Sequence, residues 1–268
     1  MYRGSSKNCQ KTFEDLKDGR ERIEKICREL LKNEIIVALG CTEPGTIAYA
    51  AACAKEILGA IPNHMEIYVS GNILKNVKSV VIPNTQNLKG IAEAAFCGIV
   101  GGNPKRKLEV LNTLTMADVE MVRKLVAEEN MYDVHLSRVQ EPLYVRVELI
   151  RGEHTSLVEI QKNHLNITKV QKDGKDITRQ YQYRECVGEV NGSEYKLKLK
   201  DIYNFAYETE IGDLENLMKL QITHNGRIAE EGMKNDYGAK VGKNYLKLHE
   251  KEKTAVLAAY AAAGSDAR

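Results

Sequence analysis

A chain of 268 residues with 39 basic against 37 acidic side chains and no tryptophan is long enough for one large core or two smaller ones. Its balanced charge argues against a nucleic-acid surface or an acidic partner. Six dispersed cysteines, Cys9, Cys27, Cys41, Cys53, Cys97 and Cys186, form no C-x-x-C pair, which excludes a zinc box and fits reduced thiols. No apolar run reaches the ~18 residues of a spanning helix and no apolar export segment opens the chain, so a soluble, cytoplasmic protein is expected.

Apolar residues at near-helical spacing from Phe13 to Leu39 predict an amphipathic helix with a frayed polar start. The stretch Ala38 to Ala54 then joins a helix end to a helix start. Gly40 can take the positive φ that closes one helix, Thr42 or Glu43 can cap the next, and Pro44 fits its first turn. Ile47 to Ala54 leave no solvated face, so this helix is predicted to be buried. Cys41 is thereby placed beside the unpaired amides of a helix start, where a thiolate that binds metal or attacks an electrophile is stabilised. The competing reading is that Cys41 is a small packed hydrophobe.

Gly59 and Pro62 break the chain, Met65 to Val69 alternate as a strand, and Val77 to Ile82 predict a second strand stopped by Pro83. Between them, Ser70 to Asn76 reads as a loop. There Asn72, Lys75 and Asn76 supply two amides and an ammonium that could hold an amino acid's carboxylate, or are ordinary turn and solvated residues. Leu88 to Val100 predict a small, apolar helix ending at Gly101-Gly102, Pro104 starts another, and Thr115 to Asp118 open a third with Met121, Val122, Leu125 and Val126 on its buried face.

After Asn130 the texture favours strands at 133–136, 143–150, 156–160 and 167–170, with hairpin turns at Asp173-Gly174 and Asn191-Gly192. His135, His154 and His164 fall here, and strands could bring two together, although scattered histidines do not predict zinc. From Asp201 helix returns, interrupted by the segment His224 to Gly232 and by Gly238 and Gly242. A last helix, Glu250 to Ala263, stops at the small polar end Gly264 to Arg268 and reads as unfinished.

Taken in order, Ala38-Leu-Gly-Cys-Thr-Glu-Pro44, Ser70-Gly-Asn-Ile-Leu-Lys-Asn76, Ile82-Pro-Asn-Thr85, Gly101-Gly-Asn-Pro104, Leu108-Glu-Val-Leu111, His164-Leu-Asn-Ile167, Ile228-Ala-Glu-Glu-Gly232, Tyr237-Gly238 and Ala261 to Arg268 resemble the L-cysteine desulfidase family. This family is also described as serine dehydratase alpha-chain-like. The resemblance implies an iron–sulfur lyase of amino-acid catabolism that splits L-cysteine into pyruvate, ammonia and sulfide on a [4Fe-4S] cluster held by three cysteines. Cys41 matches the first ligand. The other two belong to a later half of the family's chain, so the cluster is expected to be absent or incomplete in this chain.

From residue chemistry, Asn72, Lys75 and Asn76 are expected to hold the substrate carboxylate. Lys75, if burial lowers its pKa, would serve as base, His164 as acid, base or a donor behind the metal ligand, and Glu43 as an outer partner of the metal site or mere cap. The alternatives are an L-serine dehydratase-type lyase and a non-catalytic domain that needs a C-terminal partner chain. Expected partners are a small amino-acid substrate and either a second copy or a missing C-terminal half, without nucleic acid or membrane. The expected fold is α+β, with small-residue-rich helices packed on a mixed sheet. Its segments are an N-terminal helical extension (1–30), a core with the GCTEP motif (31–131), a β-rich region (132–200) and a truncated-looking helical part (201–268).

Overall fold

A computed structural model describes residues 19–185, 197–249, 252 and 254–267. Cys9, Cys186, the N-terminal start expected to fray and the expected Asn191-Gly192 turn lie outside the described residues. The fold is α+β, and the chain divides into two compact units, Val37–Glu189 and Met1–Ile36 with Val190–Arg268. Among the described residues no helix is long and apolar enough to cross a membrane.

The unit Val37–Glu189 is built on one six-stranded sheet with strand order β2-β1-β3-β4-β5-β6, formed by β1 (His64–Val69), β2 (Tyr132–Leu136), β3 (Tyr144–Arg151), β4 (His154–Gln161), β5 (Ile167–Lys172) and β6 (Lys175–Asp176). The core segment and the β-rich segment of the sequence therefore share a single sheet. Only β1 and β2 run parallel, which the intervening helices make possible; β1 pairs antiparallel with β3, and β3 to β6 follow as successive antiparallel hairpins. The Asp173-Gly174 turn joins β5 to β6 with positive φ at both residues, 49° and 74°.

Alternation along the strands sorts the two faces. Met65, Ile67, Val69, Val145, Val147, Leu149, Val158, Ile160 and Val170 are buried on one side. Against them lies α2 (Thr42–Leu58), buried from Pro44 to Ala54 as its composition requires. Its other flank meets α4 (Ile91–Gly101), described after α3 (Gly71–Val77) in chain order and followed by α5 (Met116–Ala127). The two helices approach so closely that a Cβ on Gly98 would lie 2.1 Å from the Ala48 carbonyl oxygen. Two buried hydroxyls are satisfied at this layer: Ser156 Oγ donates to the Ala54 carbonyl at 2.8 Å, and Thr46 Oγ1 to that of Thr42 at 2.9 Å.

The expected loop at Ser70–Asn76 is instead the short helix α3, and no strand forms at 77–82. Ser70 caps the helix by accepting from the Ile73 amide, and Ile73 and Val77, four residues apart, bury one face. Beyond it, Ile82-Pro-Asn-Thr85 is a turn in which buried Thr85 donates to the Ile82 carbonyl and accepts from the Leu88 amide. Pro104 opens a 3-10 turn to Glu109 rather than an α-helix. In α5 the Thr115–Asp118 capping box is present, but Val119 takes the buried place expected for Met121, which is exposed.

The second unit contains α1 (Gly19–Glu34) and, after α6 (Thr178–Glu185) of the first unit, α7 (Leu199–Glu208), α8 (Glu215–Lys234), α9 (Val241–Leu248) and α10 (Ala255–Ala267). The segment 224–232 does not interrupt the helix: α8 runs through Gly226 and Gly232. Gly232 and Gly242 are close-approach positions, where a Cβ would fall 1.9 Å and 2.4 Å from the carbonyl oxygens of Ala263 and Ala259 on α10. Only Gly238, with φ 45°, occupies a turn. The alanine-rich α10 buries Ala255, Ala259 and Ala263, and it continues as helix to Ala267 instead of ending at Gly264.

Candidate functional site

The N-terminus of α2 gathers side chains from three places in the first unit. Cys41 itself is the N-cap, so the capping expected of Thr42 or Glu43 does not occur; Thr42 is the first helical residue, and Pro44 sits in the first turn as expected. Gly40 has the expected positive φ, 66°, but it shapes the bend before Cys41 rather than a helix end. Its missing side chain also matters, because a Cβ there would lie 2.7 Å from Pro83.

Glu43 is the hub. Its Oε2 accepts from Cys41 Sγ at 2.9 Å and from Thr42 Oγ1 at 3.2 Å, and its Oε1 accepts from Asn76 Nδ2 at 3.1 Å. Burial alone would raise the Glu43 carboxyl, but hydrogen bonds from Cys41, its own backbone amide, Asn76 and Thr42 outweigh it and hold the group below its usual range. A carboxylate is thus fixed beside the Cys41 thiol at neutral pH.

His164 enters from the loop between β4 and β5. Its Nδ1 lies 2.8 Å from Thr46 Oγ1, one turn along α2 from Thr42. The Thr46 hydroxyl has one proton, donated to the Thr42 carbonyl, so Nδ1–H donates to the hydroxyl oxygen and the ring keeps its lone pair on Nε2. Burial lowers the His164 pKa below its ordinary 6.5, and the neighbouring Glu43 carboxylate opposes but does not reverse that shift. The resting ring is therefore neutral at pH 7, with Nε2 as a base.

Of the residues selected from sequence, Cys41, Glu43, Asn76 and His164 come together here. Asn72 lies four residues before Asn76 on the same face of α3 and is exposed. Lys75 is exposed too, so it lacks the burial on which its role as a base depended. Thr46 was missed: a threonine fully buried in a run of alanines was the available signal. His135 and His154 do not join His164; they pair with Glu66 and Asp173.

The other described cysteines of this unit, Cys53 and Cys97, are sealed in the core, and burial, with Glu93 and Asp118 nearby, pushes the Cys97 thiol up to about 12. Among the described residues, the one group of three metal-ligating side chains in mutual reach is His64, Glu66 and Asp133, and it does not include Cys41. A [4Fe-4S] cluster requires a set of thiolates. The described residues offer one at this site, so they do not by themselves fit a complete cluster.

The chain is similar to UPF0597 proteins of Lachnoclostridium phytofermentans (39% identical over 241 residues, 90% of this chain and 57% of that protein) and Fusobacterium nucleatum (38% over 256 residues, 92% and 58%). It is also similar to one of Finegoldia magna (40% over 241 residues, 90% and 57%). It thus spans less than two thirds of the length of these relatives, whose names state a family and no activity. No protein-family model matches the chain, and no solved structure matches it.

Proposed function

We propose that this chain is the amino-acid-binding part of a carbon–sulfur lyase that releases sulfide from L-cysteine. The observation that carries the reading is the convergence of a thiol, a fixed carboxylate, an amide and a neutral histidine at the start of one buried helix. The motif resemblance supplies the reaction class. Cys41 would contribute one thiolate toward an iron–sulfur group whose remaining ligands lie outside the described residues.

The chain's own groups suit α,β-elimination. Nε2 of neutral His164 accepts the Cα proton, the Cα–H electron pair forms the Cα–Cβ double bond, and the Cβ–S bond breaks with its electrons on sulfur. The proton then passes to the leaving sulfide. The resulting 2-aminoacrylate hydrolyses to pyruvate and ammonia. Glu43 stabilises the imidazolium formed midway, because its negative charge favours protonated His164. Thr46 holds the ring so that Nε2, not Nδ1, carries the lone pair. Asn76, with Asn72 on the same face of α3, offers amide donors for a carboxylate.

The test is a titration of the chain with L-cysteine, followed by the ring resonances of His164. A saturable shift that is smaller with L-serine is the expected result. An equal or larger shift with L-serine moves the assignment to a dehydratase. No shift with either amino acid overturns the reading in favour of a non-catalytic domain.

A further inference from the structure

The sheet face opposite α2 carries a different set of donors. His64 and Glu66 alternate on β1, and Asp133 and His135 alternate on β2; the parallel register sets Glu66 opposite Asp133, so all four project on one face. His64 Nε2 lies 3.1 Å from Glu66 Oε1 and 3.6 Å from Asp133 Oδ2, and all three ligand atoms fall within 4.8 Å of one another. Ligands bound to zinc at about 2.0–2.2 Å in a tetrahedron stand about 3.3–3.6 Å apart. The two gaps from His64 are therefore close to the edges of a zinc site, and the third lies within a short side-chain adjustment of one.

The geometry points to a divalent transition-metal site, with Zn2+ the favoured ion, ligated by His64 Nε2, Glu66 and Asp133. Outer partners already aim these ligands. His64 Nδ1 sits 2.7 Å from the Asn130 carbonyl, which orients the ring, and Nε2 donates to Glu66 Oε1, a proton that the metal would displace. His135 Nε2 bonds the other Glu66 oxygen at 2.5 Å, while its ring stacks on Tyr68 at 4.6 Å. One imidazole with two carboxylates selects against Mg2+ and Ca2+, which prefer all-oxygen sets. Three protein ligands leave a fourth position for water. β2 is the edge strand, so the ion would clip that edge to β1.

The probe is Zn2+ alone, in equilibrium dialysis against the whole chain, with thiol-bound zinc common to all variants and thus cancelled by difference. The wild type is expected to bind one equivalent more than His64→Gln or Asp133→Asn, and its His64 ring resonances are expected to move with that equivalent. His135→Gln should keep the equivalent with affinity about 10–100-fold lower. Asp133 is largely exposed, so its isosteric change leaves the fold intact, which circular dichroism checks. Equal zinc binding by the wild type and Asp133→Asn, or unmoved His64 resonances, overturns the site.

Discussion

Replacing Gly98 by alanine tests the helix packing that positions the site. In an open helix the change is favourable by about 1 kcal/mol, because alanine is the better helix former. Here the added Cβ meets three backbone atoms of Ala48, at 2.1, 2.8 and 2.8 Å, and backbone cannot rotate away as a side-chain tip can. Overpacking of that kind costs about 3 kcal/mol or more, the upper end of the usual range. The net effect is a loss of about 2 kcal/mol, equivalent to a fall of about 4–8 °C in unfolding temperature. Gly226→Ala is the control, since that glycine lies inside α8 with nothing within 4 Å, and it should gain up to about 1 kcal/mol. Thermal unfolding followed by circular dichroism reads both. An unchanged or raised midpoint for Gly98→Ala would refute the close approach of α2 and α4.

Three further outcomes are expected. Glu43→Gln removes the charge that favours protonated His164 and should lower its pKa further, read by NMR titration of the ring; a rise would contradict the placement of Glu43. His164 has a folded pKa below its unfolded 6.5, so its stabilisation is full above 6.5 and is lost as pH falls through the folded value. His64, raised chiefly by its bond to the Asn130 carbonyl, acts in the opposite sense: its contribution is full below 6.5 and is lost as pH rises. Comparing the wild type with His164→Gln cancels that opposing term, and the variant should gain relative stability as pH falls below 6.5; a constant difference in urea midpoints would count against it. Ser70→Ala should cost about 1–2 kcal/mol by uncapping α3 and leaving the Pro142 carbonyl without the 2.7 Å bond from Ser70 Oγ, measured by the same denaturation.

Burial of α2 was legible because every residue from Ile47 to Ala54 is small or apolar, a pattern with one physical outcome. The antiparallel strands were legible from alternation and from Asp173-Gly174. The helix α3 was not, because Ser-Gly-Asn favours turns locally and only the packing of Ile73 and Val77 decides otherwise. Nor was the continuity of α8, since what makes a helical glycine useful is a neighbouring helix that sequence does not display. At the site, the helix-start position of Cys41 could be read directly. The bond joining Thr46 to His164 spans 118 positions and depends on where the β4–β5 loop falls. Likewise, His64 and Asp133 meet only because β1 and β2 pair in parallel, a choice that hydropathy leaves open.

The most direct measurement combines this chain with the portion of the Lachnoclostridium relative that it does not cover, reconstitutes the pair anaerobically with iron and sulfide, and follows sulfide and pyruvate released from L-cysteine. Release by the wild type and its loss in both Cys41→Ser and His164→Gln is the expected result. Release unchanged by either substitution, or no turnover of L-cysteine at all, would contradict it.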